Sequence, residues 1–116
     1  MKGQIAPIPN VWRTKVVRVL RRGDPNAVLV TAPARKDWAS LPSNPWDYEL
    51  FDALADALDS DDITGRRQEM DEPGETHEFI FSFAGVKVYA KVNLTTSGEV
   101  VTIYPAHRPL KGNQVS

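Results

Sequence analysis

The most constraining feature of this sequence is a pair of alternating segments, 77–83 and 86–94, that are joined by only two residues. From Phe79 onward every second residue of the first segment is phenylalanine, and in the second segment apolar residues alternate with lysine, tyrosine or asparagine. A period of two is typical of β-strands that bury one face. The Ala84-Gly85 link suits a tight turn, because glycine tolerates the positive φ that such turns require. The sequence therefore predicts an antiparallel hairpin with one apolar face.

A third strand is predicted over 99–104, after a second turn of four residues. Turn length and side-chain parity together set the register, which places Leu94 opposite Glu99 and Tyr89 opposite Tyr104. The apolar side chains then share one face, which we expect to carry the core, and the outer face is polar. The side chains predicted on that outer face are Lys87, Tyr89, Lys91, Asn93, Thr102 and Tyr104.

Two amphipathic helices are predicted, over 11–22 and 45–58, from apolar residues at helical spacing. Asn10 can cap the first helix, and Pro45 suits the first position of the second. The apolar stripe of the second helix is expected to include Trp46. The remaining segments predict a short strand and two loops, at 27–31, 32–44 and 66–76.

These elements predict an α+β fold, in which a small antiparallel β-meander of three to four strands has two helices packed on one face. With 116 residues, we expect a single domain over 1–116, with flexible ends at 1–10 and 109–116. The absence of cysteine excludes disulfides and thiolate metal sites and favours a cytoplasmic protein. Because no apolar run approaches the ~20 residues that span a bilayer, we expect no membrane partner.

A net charge of −1 hides a strong separation of charge along the chain. Residues 1–22 carry six basic side chains and no acid, whereas residues 45–75 carry eleven acids and two arginines. Such a division can give one basic and one acidic face, although ordinary solvated helix surfaces explain it equally well.

The predicted outer face suits RNA, because lysine neutralises phosphate and tyrosine stacks on unpaired bases. Solvated strands often carry the same residues, and Glu78 with Lys91 would then be a plain cross-strand ion pair. His77 and His107 do not form a metal-binding motif, and the chain has neither a phosphate-binding loop nor a hydrolase nucleophile motif. We therefore predict no metal and no cofactor.

Two stretches of the C-terminal half share a pattern with a known family. One stretch, 47–63, is a predicted helix and the acidic residues that follow it. The other, 85–92, is a glycine followed by a strand that contains Tyr-x-Lys, and an apolar strand and a basic residue come after it. The segment from Trp46 to about Lys111 thereby resembles the MqsR/RelE-like ribonuclease toxins of bacterial toxin–antitoxin pairs. The resemblance implies an α+β fold, metal-free cleavage of messenger RNA, and a cognate antitoxin protein as partner.

The family pattern also implies roles for individual residues. Its strand tyrosine and lysine fall on Tyr89 and Lys91, its terminal basic residue falls near His107, and a further basic residue falls on Arg66 or Arg67. Metal-free RNA cleavage needs a base, an acid and cations around the phosphate, and imidazole is the group best suited to proton transfer near neutral pH. The predicted catalytic residues are His107, Tyr89 and Lys91, and the predicted RNA-binding residues are Lys87, Arg66, Arg67 and Tyr104.

Two classes of function are therefore open. The first is a metal-independent endoribonuclease toxin that acts on RNA. The second is a non-catalytic protein-binding module, such as an antitoxin, an immunity protein or a phage or mobile-element inhibitor, which would use the acidic 45–75 segment. A structural domain whose sheet face binds another protein is a further reading of the same pattern.

Overall fold

The computed structural model describes residues 4–41, 45–71 and 73–109. Within these residues, three helices and six strands follow one another as β1 (Ile5–Pro7), α1 (Asn10–Arg22), β2 (Val28–Val30), α2 (Ala32–Ala39), α3 (Asp47–Leu58), β3 (Thr64–Gln68), β4 (Glu75–Phe83), β5 (Val86–Leu94) and β6 (Val101–His107). The flexible ends predicted at 1–10 and 109–116 fall partly outside the described residues.

The strands form one sheet in the order β1-β3-β4-β5-β6-β2. Neighbouring strands are antiparallel, except that β2 lies parallel to β6. The α+β class is confirmed, but the sheet is mixed and has more strands than the predicted meander. The prediction missed β1, which is very short, and placed β3 inside a polar loop because its sequence shows no apolar alternation.

Helix α2 occupies most of the segment 32–44 that the sequence analysis assigned to a loop. The Thr31 hydroxyl caps the helix by accepting a hydrogen bond of 3.2 Å from the backbone N–H of Ala34. Pro33 lies in the first turn, where a proline ring is compatible with a helix. Among the described residues, none of the helices is both long enough and apolar enough to cross a membrane.

A single hydrophobic cluster joins the three helices to one face of the sheet. On the sheet side it contains the inward residues of the hairpin, such as Phe79 and Val88. Trp38 of α2 is fully buried, and its ring lies 4.6 Å from that of Phe83. The prediction for Trp46 was wrong, because this residue caps α3 instead of joining its stripe and is 71% exposed.

The register between β5 and β6 differs from the predicted one. Leu94 lies opposite Val101, two residues further along than expected, since residues 95–100 form a longer turn. Further along, β6 contains one extra residue, so Tyr89 lies opposite His107 and not opposite Tyr104. A proline at position 105 accounts for this bulge, because its nitrogen has no proton to give to the β-ladder.

A buried arginine fixes α1 against the end of α3. Arg13 is 7% exposed, and its guanidinium donates hydrogen bonds of 2.8 and 3.1 Å to the carbonyl oxygens of Leu58 and Ser60. Its Nε donates to the carbonyl of Ile8, and it also forms a salt bridge of 3.3 Å with Asp61. The last carbonyls of a helix have no partner within the helix, so Arg13 supplies the donors that α3 lacks.

We expect replacement of Arg13 by methionine to lower the free energy of unfolding by about 3 kcal/mol, because several buried carbonyls lose their donor. Urea denaturation of the purified variant measures this loss. The matched control is Arg18→Met on the exposed side of the same helix, which should change the free energy by less than about 0.5 kcal/mol. Equal effects of the two substitutions would contradict the role assigned to Arg13.

Candidate functional site

A polar cluster lies on the outer face of the sheet, where four adjacent strands contribute five side chains. Arg66 of β3 lies opposite Glu78 of β4, and Tyr89 of β5 lies opposite His107 of β6. Lys91 lies next to Glu78 across the β4–β5 ladder. Because side chains alternate along a strand, these residues share the face that does not carry the hydrophobic core.

Glu78 is the buried centre of this cluster, with 1% of its surface exposed. Arg66 Nε forms an ion pair with one carboxylate oxygen, and the Tyr89 hydroxyl donates a hydrogen bond to the other. Burial acts to raise the pKa of Glu78, but hydrogen bonds from Tyr89, Gln68 and Arg66 outweigh it, so its pKa is lowered. Glu78 is therefore an ionised carboxylate at neutral pH.

Arg66 reaches Glu78 because the two residues lie directly opposite each other on β3 and β4, and these strands approach closely at Gly65. A Cβ atom at Gly65 would collide with the backbone oxygen of Glu78 and come within 3.2 Å of the Phe79 Cβ. Glycine is therefore required where the two strands meet. The Nη2 atom of Arg66 is buried and has no hydrogen-bond partner among the described residues. This N–H group is therefore unused, while the charge of the guanidinium is balanced by the Glu78 carboxylate.

Tyr89 is 5% exposed, so the prediction that it lies open to solvent was wrong, although it does occupy the outer face. Burial raises the pKa of Tyr89, and its hydrogen bond to Glu78 and the charge of that carboxylate raise it further. The hydroxyl consequently keeps its proton at neutral pH. Tyr89 is suited to orienting other groups and not to transferring a proton.

His107 lies against the ring of Tyr89, with 5.4 Å between the ring centroids and 31° between the planes. The ring is half-buried, and its Nδ1 lies 2.6 Å from the carbonyl oxygen of Arg108. Because a carbonyl oxygen only accepts hydrogen bonds, Nδ1 carries the proton in the neutral ring. The lone pair is then on Nε2, which makes this nitrogen a proton acceptor.

The other predicted site residues divide between the two faces. Lys87 and Lys91 lie on the outer face of β5, and Tyr104 is half-buried at the bulge of β6. Arg67 lies opposite His77, away from the cluster, with its Nη1 4.0 Å from a carboxylate oxygen of Glu75. The structure thus brings together His107, Tyr89, Lys91 and Arg66, and it leaves Arg67 outside.

Sequence reasoning gave Glu78 no role beyond an ion pair with Lys91. The structure instead gives its carboxylate to Arg66 and Tyr89. A lone acid inside an apolar strand is the signal that could have identified it, since buried carboxylates are rare without partners. His77, by contrast, is a structural residue that packs against Trp12 on the core side, with ring centroids 4.6 Å apart.

Within residues 4–41, 45–71 and 73–109, no three histidine, aspartate or glutamate side chains are grouped as in a metal site. Compared with known protein families, curated proteins and solved structures, the chain has no match in any of the three. The polar cluster itself is therefore the feature of this chain that points to a function.

We expect Tyr89→Phe to lower the free energy of unfolding by about 2 kcal/mol at pH 7, because the buried Glu78 carboxylate loses a donor. Because folding lowers the pKa of Glu78 from its ordinary value of 4.5, ionisation of this carboxylate stabilises the fold at pH values above 4.5. The stabilisation is lost progressively as the pH falls from 4.5 through the lowered pKa of the folded protein. The difference between wild type and variant should therefore shrink at pH 3.

Urea denaturation at the two pH values makes the comparison. Tyr48→Phe is the control, since Tyr48 is 62% exposed and its hydroxyl should contribute less than about 0.5 kcal/mol. A loss that stays constant between pH 7 and pH 3 would show that the Tyr89 hydroxyl does not act through the charge of Glu78.

Proposed function

We propose that this protein is a metal-independent endoribonuclease that cleaves RNA at the outer face of its sheet. One observation carries the proposal: the bulge in β6 brings the His107 ring against Tyr89, whose hydroxyl is in turn bound to the Arg66–Glu78 pair. The site then combines a proton acceptor with cationic side chains on a single surface. With Lys91 as the acid, these are the groups that RNA cleavage requires when no metal takes part.

In the proposed reaction the 2′-hydroxyl oxygen of RNA attacks the adjacent phosphorus, and the bond from phosphorus to the 5′-oxygen breaks. A base removes the 2′-hydroxyl proton, and an acid protonates the departing 5′-oxygen. The products are a 2′,3′-cyclic phosphate and a new 5′-hydroxyl end. Cations near the phosphate stabilise the extra negative charge of the transition state.

His107 is the base in this scheme, because Nε2 of its neutral ring carries the free lone pair. Lys91 supplies a positive charge beside the phosphate and the proton for the departing oxygen. Tyr89 is a positioning residue, because its raised pKa keeps the hydroxyl protonated and bound to Glu78. The predicted direct catalytic role of Tyr89 is thus replaced by support of the His107 ring.

RNA binding in this proposal uses the rest of the outer face. Lys87 lies two residues from Tyr89 on the same side of β5, so the two side chains are about 7 Å apart along the strand. Tyr104 lies at the bulge next to the same surface, and Arg66 lies further along that face in its ion pair with Glu78. Arg67 is not part of the binding surface.

The resemblance of the C-terminal half to MqsR/RelE-like toxins supports the same reaction class. It also supports a cognate antitoxin protein as the cellular partner, which would keep the nuclease inactive.

The experiment is incubation of the purified protein with an end-labelled single-stranded RNA in EDTA. We expect fragments that end in a 2′,3′-cyclic phosphate, and we expect a DNA strand of the same sequence to remain intact because it lacks the 2′-hydroxyl. His107→Ala should lower the cleavage rate by about 100-fold.

Lys91→Ala should also slow cleavage, whereas Lys36→Ala, an exposed lysine of α2, should not. Circular dichroism confirms that each variant is folded. The proposal fails if folded wild-type protein leaves RNA intact, if cleavage needs a divalent metal, or if His107→Ala retains the full rate.

A further inference from the structure

A groove of about 600 Å³ lies between α3 and the end of the β4–β5 hairpin. Its floor lies on the face of the sheet that packs against the helices, whereas Tyr89 and His107 lie on the outer face. The floor is apolar and is formed by Ala53, Ala57, Ile63, Phe81 and Phe83. A groove of this size is comparable with sites that bind small molecules or a short protein segment.

Acidic side chains line one wall of the groove. Glu49, Asp52 and Asp56 follow one another along α3 at intervals of three and four residues, which places them on the same side of the helix. Among the described residues that line the groove, none is basic. The groove therefore presents negative charge above an apolar floor.

Salt bridges inside the protein neutralise part of the acidic charge of the 45–75 segment. Arg13 pairs with Asp61, and Arg21 pairs with Asp56 and Asp59. Asp52 is exposed and forms no ion pair with the described residues. The groove thus keeps acidic charge that the protein does not neutralise itself.

Two large aromatic side chains are exposed where α3 begins. Trp46 is 71% exposed and lies three residues before Glu49, at the same end of the helix, and Tyr48 is 62% exposed. Exposed tryptophan and tyrosine are enriched at protein–protein interfaces, and tryptophan also attracts lysine and arginine through its ring.

We propose that this groove binds a basic amphipathic α-helix of a partner protein. The residues of α3 that line the groove, from Glu49 to Ala57, span about 12 Å along the helix, which a second helix of about three turns covers fully. The partner helix places an apolar stripe on the groove floor and directs lysine or arginine toward the acidic wall. This inference does not depend on the ribonuclease proposal, because the groove and His107 lie on different faces.

The test uses a fluorescent synthetic helix of about three turns, with leucine along one face and lysine beside that face. Fluorescence anisotropy with the full-length protein should show binding at least about tenfold tighter than that of a scrambled peptide of the same composition. Ala53→Gln, which places a larger polar side chain on the floor, should also weaken binding.

Charge reversal makes the test specific. Asp52→Lys should weaken binding of the basic helix by about fivefold, and a peptide with glutamate in place of lysine should bind this variant more tightly than it binds wild type. Glu99→Lys is the matched control, since this exposed acid lies outside the groove and its substitution should leave binding unchanged.

Three results would overturn the proposal. They are equal binding of the scrambled peptide, equal effects of Asp52→Lys and Glu99→Lys, and self-association of the protein that Asp52→Lys abolishes. The last result would assign the groove to a second copy of this chain. Circular dichroism of each variant shows whether the fold is intact.

Discussion

The buried carboxylate of Glu78 is the constraint on which the outer face of the sheet depends. A charge removed from water is tolerated only when it is paired and fully hydrogen-bonded. Arg66 from one neighbouring strand and Tyr89 from the other provide that pairing. Strands β3, β4 and β5 are therefore held together by polar contacts on one face and by the hydrophobic core on the other. The side chains beside Glu78 are fixed in place as a result.

In this arrangement the residues that hold the cluster in place are buried, and the residues that could reach a substrate are more exposed. The buried groups, Glu78 and Tyr89, hold the geometry, while His107 and Lys91 are only half-buried beside them. A reactive group that is fixed by buried neighbours loses little freedom when substrate binds, which favours catalysis. The acidic groove near α3 is built differently, because its charged side chains lie on the surface of a helix and its floor is apolar.

The hairpin could be predicted from the sequence because parity and turn length leave a single register, and Phe83 does pair with Val86. Strand β3 could not, because Arg66 and Arg67 carry no apolar pattern and become a strand only by pairing with β4. His107 was expected near Tyr89, but their direct pairing across β5 and β6 was not predicted, for a related reason. Pro105 signals an irregularity, but the sequence does not say how many residues the bulge adds.

Both edges of the sheet come from the first 30 residues, since β1 covers β3 and β2 covers β6. The C-terminal half, which carries the polar cluster, consequently cannot complete its own sheet. Isolated, it would expose two unpaired strand edges, which are templates for aggregation. The first 30 residues must therefore pair with distant strands before the outer edges of β3 and β6 are protected, and such long-range pairing slows folding.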